Sequence, residues 1–150
     1  MTIKKCSEAD IPALSILFDE YRMFYGYKSD IENSRKFLSK NLVNNSSSIF
    51  LLSDDEHGPC GIAQIYPAIC SLEMKDYFYF SDLYVRHNAR RNGYGRKLIL
   101  YIIDFCKSNN AVRLSLDTAS TNLSAQSLYR SLGFIREDEF VTYDLALLDQ

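Results

Sequence analysis

Apolar residues recur at helical spacing early in the chain, at Ile11, Leu14, Leu17, Phe18, Tyr21, Phe24 and Tyr25, and predict a helix that turns this stripe toward a core. Ahead of it, Thr2 to Cys6 alternates as a strand does. Ser7, with Asp10 three positions on, forms a variant of the capping box, and Gly26 is the expected terminator. Residues from about Asp30 to Leu42 carry a weaker stripe, Phe37, Leu38 and Leu42, and predict a second helix; Asn44 to Ser48 is a polar loop. The period then changes. Ile49 to Leu52 and Gly61 to Tyr66 are apolar runs joined by the polar turn Asp54 to Gly58, a hairpin by its length and its glycine. A third strand is predicted from about Tyr77 to Val85. After it come a helix from about Gly93 to Lys107, a strand from Val112 to Asp117, a helix from about Asn122 to Leu132, and two short strands near Phe134 to Glu137 and Phe140 to Leu145. Helices interleaved with partly hairpin-paired strands, without repeat or linker, predict one α/β domain with a mixed sheet over residues 1–150.

Composition narrows the class. The 150 residues are 47% hydrophobic and 24% charged, which argues against disorder and fibrous repeats, and a chain this long buries roughly two-thirds of its unfolded surface. No apolar stretch approaches the ~18 residues of a membrane span, and the N-terminal residues contain no apolar signal core, so a cytoplasmic protein is expected. A net charge of −2 gives no long-range pull toward nucleic acid or anionic lipid, and any anionic ligand must be held by local bases. Cys6, Cys60, Cys70 and Cys106 form no Cys-x-x-Cys pair and have only His57 and His87 for company. Buried free thiols are expected, with neither a metal site nor a disulfide framework.

The segment Asp82-Leu-Tyr-Val-Arg-His-Asn-Ala-Arg-Arg-Asn-Gly-Tyr-Gly-Arg-Lys-Leu98 joins a buried strand to an amphipathic helix through two glycines. Gly93 and Gly95 fall at the helix N-terminus, where backbone N–H groups lack partners and the dipole is positive, and where a missing Cβ lets anionic oxygens approach. Arg86, Arg90, Arg91, Arg96 and Lys97 put five of the chain's 17 basic residues into 12 positions. This is the design of a pyrophosphate site. A Walker loop is excluded because no Gly-Lys-Ser/Thr follows. A dinucleotide fingerprint would need its third glycine at Leu98, although Asp117 mimics the ribose-binding acid.

Three motifs resemble the GNAT superfamily of acyl-CoA-dependent N-acetyltransferases. They are Arg90-Arg-Asn-Gly93-Tyr-Gly95, the preceding Asp82-Leu-Tyr-Val85, and Asn122-x-x-Ala125-x-x-Leu128-Tyr129-x-x-Leu132-Gly133-Phe134. The resemblance implies a mixed, mostly antiparallel sheet of about seven strands flanked by about four helices, with acetyl-CoA as co-substrate. Its cofactor contacts would come from Leu83, Tyr84 and Val85, from Arg90, Arg91, Asn92, Gly93, Tyr94, Gly95 and Arg96 around the pyrophosphate, and from Asn122. Tyr129 would protonate the departing thiolate. Asn122, Ala125 and Tyr129 at i, i+3 and i+7 share one helix face, and Gly133 suits a left-handed cap.

Acetyl transfer to an amine needs a neutral nitrogen, a stabilised oxyanion and a proton for the thiolate. Many relatives carry a Glu just ahead of the Asp-Leu-Tyr-Val stretch, where this chain has Ser81, so Asp82 is the nearest carboxylate; a water chain is the other route for the proton. The resemblance places the acceptor side on the first helices and the central hairpin, which points to Tyr21, Phe24 and Tyr25, with Tyr27 and Tyr66 nearby. The expected acceptor is a small primary amine, polyamine or amino acid, with nucleic acid and membrane excluded and a homodimer left open. A protein N-acetyltransferase acting on basic tails, a non-catalytic acetyl-CoA sensor and a partner-recruiting module are the competing readings.

Overall fold

The computed structural model describes residues 1–148. The chain divides into two compact units, Met1–Asp117 and Thr118–Gln150. The first holds a five-stranded sheet in the order β1 (Thr2–Lys5), β2 (Ser48–Asp54), β3 (Gly58–Cys70), β4 (Lys75–Val85), β5 (Leu114–Leu116). Its first three pairings are antiparallel and the last, β4 with β5, is parallel. Helices α1 (Ile11–Phe24) and α2 (Ile31–Val43) precede β2, and α3 (Tyr94–Ser108) connects β4 to β5.

Two apolar layers enclose the sheet. On one face Leu14, Leu17 and Phe18 of α1 and Leu38 of α2 pack with Ile49, Leu51 and Ile62. On the other, Phe105 of α3 meets Phe50 and Phe78, and Leu98, Ile99 and Ile102 are wholly buried, each contributing about 1.5–3 kcal/mol. A Cβ on Gly61 would meet Leu52 and Leu98 at 3.2 Å, so this glycine lets α3 approach β3 closely. The stripe of α1 is buried only through Phe18. Tyr21 is half-buried, while Phe24 and Tyr25 are 60% and 63% exposed.

The ladder between β3 and β4 slips at one place. Gln64 faces Asp82 and Ile65 faces Phe80, so Ser81 is an extra residue on β4, a β-bulge. Residues opposite one another share a face, so the bulge sends Phe80 and Asp82 to opposite faces although they are two apart. The contacts agree: Phe78 packs on Phe105 of α3, whereas Tyr84 packs on Tyr21 and Phe24 of α1.

In the second unit, α4 (Leu123–Ser131) starts at Asn122, whose side-chain oxygen accepts the Ala125 N–H at 3.1 Å. It ends in a Schellman motif. Gly133 has φ 95°, its N–H donates to the Arg130 carbonyl at 3.1 Å, and the Phe134 N–H donates to the Tyr129 carbonyl at 3.0 Å. The two strands expected at Phe134 to Glu137 and Phe140 to Leu145 are not formed, and the sheet has five strands among the described residues rather than about seven. Residues 136–139 instead make local bonds, Arg136 to Asp138 at 2.7 Å and the Glu139 N–H to the Glu137 carboxylate at 2.6 Å. These compete with an extended ladder.

Candidate active site

After β4, a 3₁₀ turn at His87–Ala89 leads to Arg91 and Gly93, both at positive φ (67° and 72°), and α3 begins at Tyr94. A Cβ on Gly93 or Gly95 would meet no atom within 4 Å, so both glycines leave the helix N-terminus open to an approaching anion. The turn is held by its own side chains. Asn92 donates from its amide to the Ala89 carbonyl at 3.0 Å, and the Tyr94 hydroxyl donates to Asp54 Oδ2 at 2.5 Å. Asp54 also accepts the His57 N–H at 2.5 Å, and its Oδ2 lies 2.9 Å from His57 Nδ1. The carboxyl is thereby held far below its ordinary range, first by the Tyr94 hydroxyl and then by His57. The same bond pushes the Tyr94 phenol up to about 12, and His57 is raised by its bond to Asp54.

Not every base of the cluster faces a ligand. Arg86 makes a bidentate ion pair with Glu20 at 2.9 and 3.0 Å, which raises its pKa. Arg90 donates from Nε to the Val85 carbonyl at 2.9 Å, and its guanidinium covers the rings of Phe24 and Tyr84 at 5.1 and 5.8 Å. Arg91, Arg96 and Lys97 complete the basic run, Lys97 lying over the Tyr94 ring at 5.5 Å.

On the α1 face, beyond the bulge, five side chains converge. The Tyr21 hydroxyl donates to Asp82 Oδ1 at 3.0 Å, and Gln64 Nε2 donates to Asp82 Oδ2 at 2.8 Å. Gln64 Oε1 in turn accepts from Asn41 Nδ2 at 3.0 Å and Ser47 Oγ at 2.7 Å. The Tyr21 phenol is pushed well above its ordinary value, by burial first and then by the Asp82 charge. From Tyr21 a run of rings continues: Tyr21 meets Tyr25 at 5.3 Å and Tyr84 at 6.0 Å, and Phe24 meets Tyr25 at 5.2 Å and Tyr84 at 6.2 Å. Tyr27 turns instead to Arg22, whose guanidinium covers it at 5.3 Å.

The first unit thus brings Asp82, Tyr84, Tyr21, Phe24 and Tyr25 together, with the glycine turn following from the end of the same strand. Tyr129 and Asn122 lie in the second unit, where the Tyr129 ring meets Phe134 at 5.7 Å and Asn122 caps α4. Sequence reasoning passed over Gln64, Asn41, Ser47 and the Asp54–His57 pair. One signal was available, since Gln64 is an amide inside the apolar run Gly61-Ile-Ala-Gln-Ile-Tyr66. Among the described residues no group of His, Cys, Asp and Glu is arranged to hold a metal, and no helix is long and apolar enough to cross a membrane. Cys6, Cys60 and Cys106 are buried thiols and Cys70 is half-buried.

Comparison with known proteins agrees with this architecture. The Acetyltransferase (GNAT) family matches residues 14–134. An N-acetyltransferase of Bacillus subtilis, YhfO, described as uncharacterized, is 34% identical over 145 residues, covering 97% of each chain. A thialysine N-epsilon-acetyltransferase of Caenorhabditis elegans is 27% identical over 119 residues, 79% of this chain and 73% of that one. A solved structure described as a probable acetyltransferase superposes with a TM-score of 0.93 at 36% identity, covering the whole of both chains. With a family match over most of its length and a relative above 30% identity along nearly all of it, the chain belongs to the GNAT family of acetyltransferases.

Proposed function

We propose that this acetyltransferase moves the acetyl group of acetyl-CoA directly to a small primary amine, and that Asp82 receives the amine's proton. The observation that carries the reading is the Asp82 carboxylate, held by one donor on each oxygen beside an aromatic surface. An alkylamine with pKa ~10.4 costs about 4.6 kcal/mol to keep neutral at pH 7, from roughly 3.4 units at 1.36 kcal/mol each. A carboxylate stabilises the incoming ammonium and then accepts its proton, directly or through one water.

The residues of the glycine turn fit the pyrophosphate of acetyl-CoA: Gly95 leaves the backbone approachable, and Arg91, Arg96 and Lys97 supply charge. Leu83, Tyr84 and Val85 would orient the acetyl carbonyl and the pantetheine arm through the backbone, and Asn122 would meet an amide of that arm. Tyr129 would return a proton to the thiolate. For the acceptor, Tyr21 and Tyr25 would receive its alkyl part; Arg90 already covers Phe24 and Tyr84, so Phe24 would act as a backing wall. With Arg86 paired to Glu20 and Arg90 engaged on the rings, little positive charge remains for an anionic polymer. The thialysine acetyltransferase among the relatives acts, by its name, on an amine at the end of a side chain, which favours the same acceptor class here.

Release of free CoA thiol across a panel of primary amines tests this reading, with Tyr129→Phe and Asp82→Asn run alongside. Turnover with amines that falls about 10²-fold in both variants is the expected result. Rapid acetylation of a basic peptide without amine turnover would move the acceptor to protein tails. Acetyl-CoA binding with no turnover on either would make the chain a sensor.

A further inference from the structure

Gln64 is 1% exposed, in the middle of a strand whose neighbours Ile62, Ala63 and Ile65 are wholly apolar and buried. An amide buried there without partners would be destabilising, and an apolar side chain would fill the same space at no such risk. Its partners fix which way it points. Oε1 takes two donors, Asn41 from α2 and Ser47 from the loop before β2, so a flipped amide would set its own N–H₂ against the N–H₂ of Asn41. Nε2 is therefore committed to Asp82 Oδ2, 2.8 Å away across the bulge.

We infer that Gln64 is a positioning residue for proton transfer: clamped by Asn41 and Ser47, it holds the Asp82 carboxylate in one orientation toward the acceptor amine. This rests on the reading of Asp82 as the proton acceptor. With Gln64 on Oδ2 and Tyr21 on Oδ1, each oxygen retains a lone pair for the substrate. In the step, the ammonium N–H bond breaks, its electron pair stays on nitrogen, and the proton bonds to a carboxylate oxygen, leaving a neutral amine and a carboxylic acid that later loses its proton to water. Among the titratable groups that feel the Asp82 charge are three phenols: Tyr21 on α1, Tyr66 on β3, and Tyr79 on β4, which donates to Asp117 at 2.7 Å. All three are raised above their ordinary value, Tyr21 and Tyr66 chiefly by burial and Tyr79 to about 12 chiefly by Asp117. They stay neutral through the acidic and neutral range, so none of them produces the acidic limb of the rate profile.

Gln64→Glu keeps the shape and exchanges the Nε2 donor for an oxygen, so two carboxyl groups must share a proton. The acidic limb of kcat/KM for the amine should then move up by about one pH unit or more, with activity recovering at alkaline pH and KM for acetyl-CoA within about twofold of the parent. Gln64→Met removes the donor without adding charge and should move the limb in the same direction by less; Ser47→Ala, which loosens the clamp, should move it least. A limb that stays in place in Gln64→Met and Ser47→Ala, while Asp82→Asn abolishes it, overturns the role of Gln64 and spares that of Asp82. An Asp82→Asn profile that keeps its acidic limb overturns both. A pH-independent loss of kcat that tracks a lowered Tm would make Gln64 a packing residue and also overturn the inference.

Discussion

The glycine turn and the Asp82 cluster are built by opposite means. The turn is assembled from consecutive residues, Arg90 to Arg96, and offers backbone N–H groups at a helix start; its essential feature is what Gly95 lacks. The cluster draws Tyr21, Asn41, Ser47, Gln64 and Asp82 from separate places in the chain, and each acts through a side chain whose bonds are specified by the others. A site of the first kind tolerates much change around it as long as the backbone keeps its path. A site of the second kind fails when any member is misplaced, because an orphaned buried donor or acceptor costs more than the bond it made.

The sharpest break of this contrast is Asp82→Asn. An amide in that position accepts no proton, and kcat should fall by about 10²-fold or more while acetyl-CoA affinity, which we assign to the turn, is retained. Loss of both together, by calorimetry beside steady-state rates, would mean that the two regions are one unit. Next in size is Gly95→Val, which should weaken acetyl-CoA binding roughly tenfold or more through a side chain standing where we place the phosphate, with Tm preserved because the added Cβ meets nothing within 4 Å beyond its chain neighbours and the helix's own backbone. Gly93→Val is the poorer probe, since its φ of 72° adds backbone strain.

Tyr25→Ala should raise KM for the amine about two- to fivefold, the scale of an exposed cation–π contact, and leave acetyl-CoA affinity alone. A drop in Tm at constant KM would return Tyr25 to a packing role. The smallest effect concerns the pin beneath the turn. Asp54 is depressed, so its contribution to stability is present above the ordinary carboxylate value of 3.8 and is lost as pH falls through its lower folded value. His57 is raised, so its contribution is full below 6.5 and is lost as pH rises through its higher folded value. Both are in force between about pH 4 and 6.5. The Tm difference between the parent and Asp54→Asn should therefore be largest in that window, about 2–4 °C, and narrow above it. A difference independent of pH would show that the charge on His57 contributes nothing.

The contrast also explains what the sequence disclosed. The turn was legible because its chemistry is contiguous: glycines, bases and an amphipathic helix lie within a few residues of each other. The α1 stripe was legible as a helix. Its period could not tell that burial stops after Phe18 and leaves Phe24 and Tyr25 exposed, because that depends on what the tertiary fold packs against each turn of the helix. Regular alternation along Tyr77 to Val85 would put Phe78, Phe80, Asp82 and Tyr84 on one face. The bulge divides them between two, and no local pattern announces it. The two last strands, near Phe134 to Glu137 and Phe140 to Leu145, are short local readings, although strand pairing is decided by partners distant in sequence. Gln64 was visible as a polar interruption, but its meaning depends on Asp82, Asn41 and Ser47 arriving beside it.

Ser81 is exposed, and its side chain enters none of the bonds at the carboxylate cluster; it is required as a residue rather than as a serine. Replacing its codon changes little of this geometry, whereas deleting it would rejoin the ladder in regular register and carry one end of β4 to the wrong side of the sheet. A comparison that scores identities would count every member of the site as retained. In this strand natural variation can therefore act through length as well as through letters, and a one-codon gap at the bulge would mark a homologue in which Phe80 and Asp82 share a face.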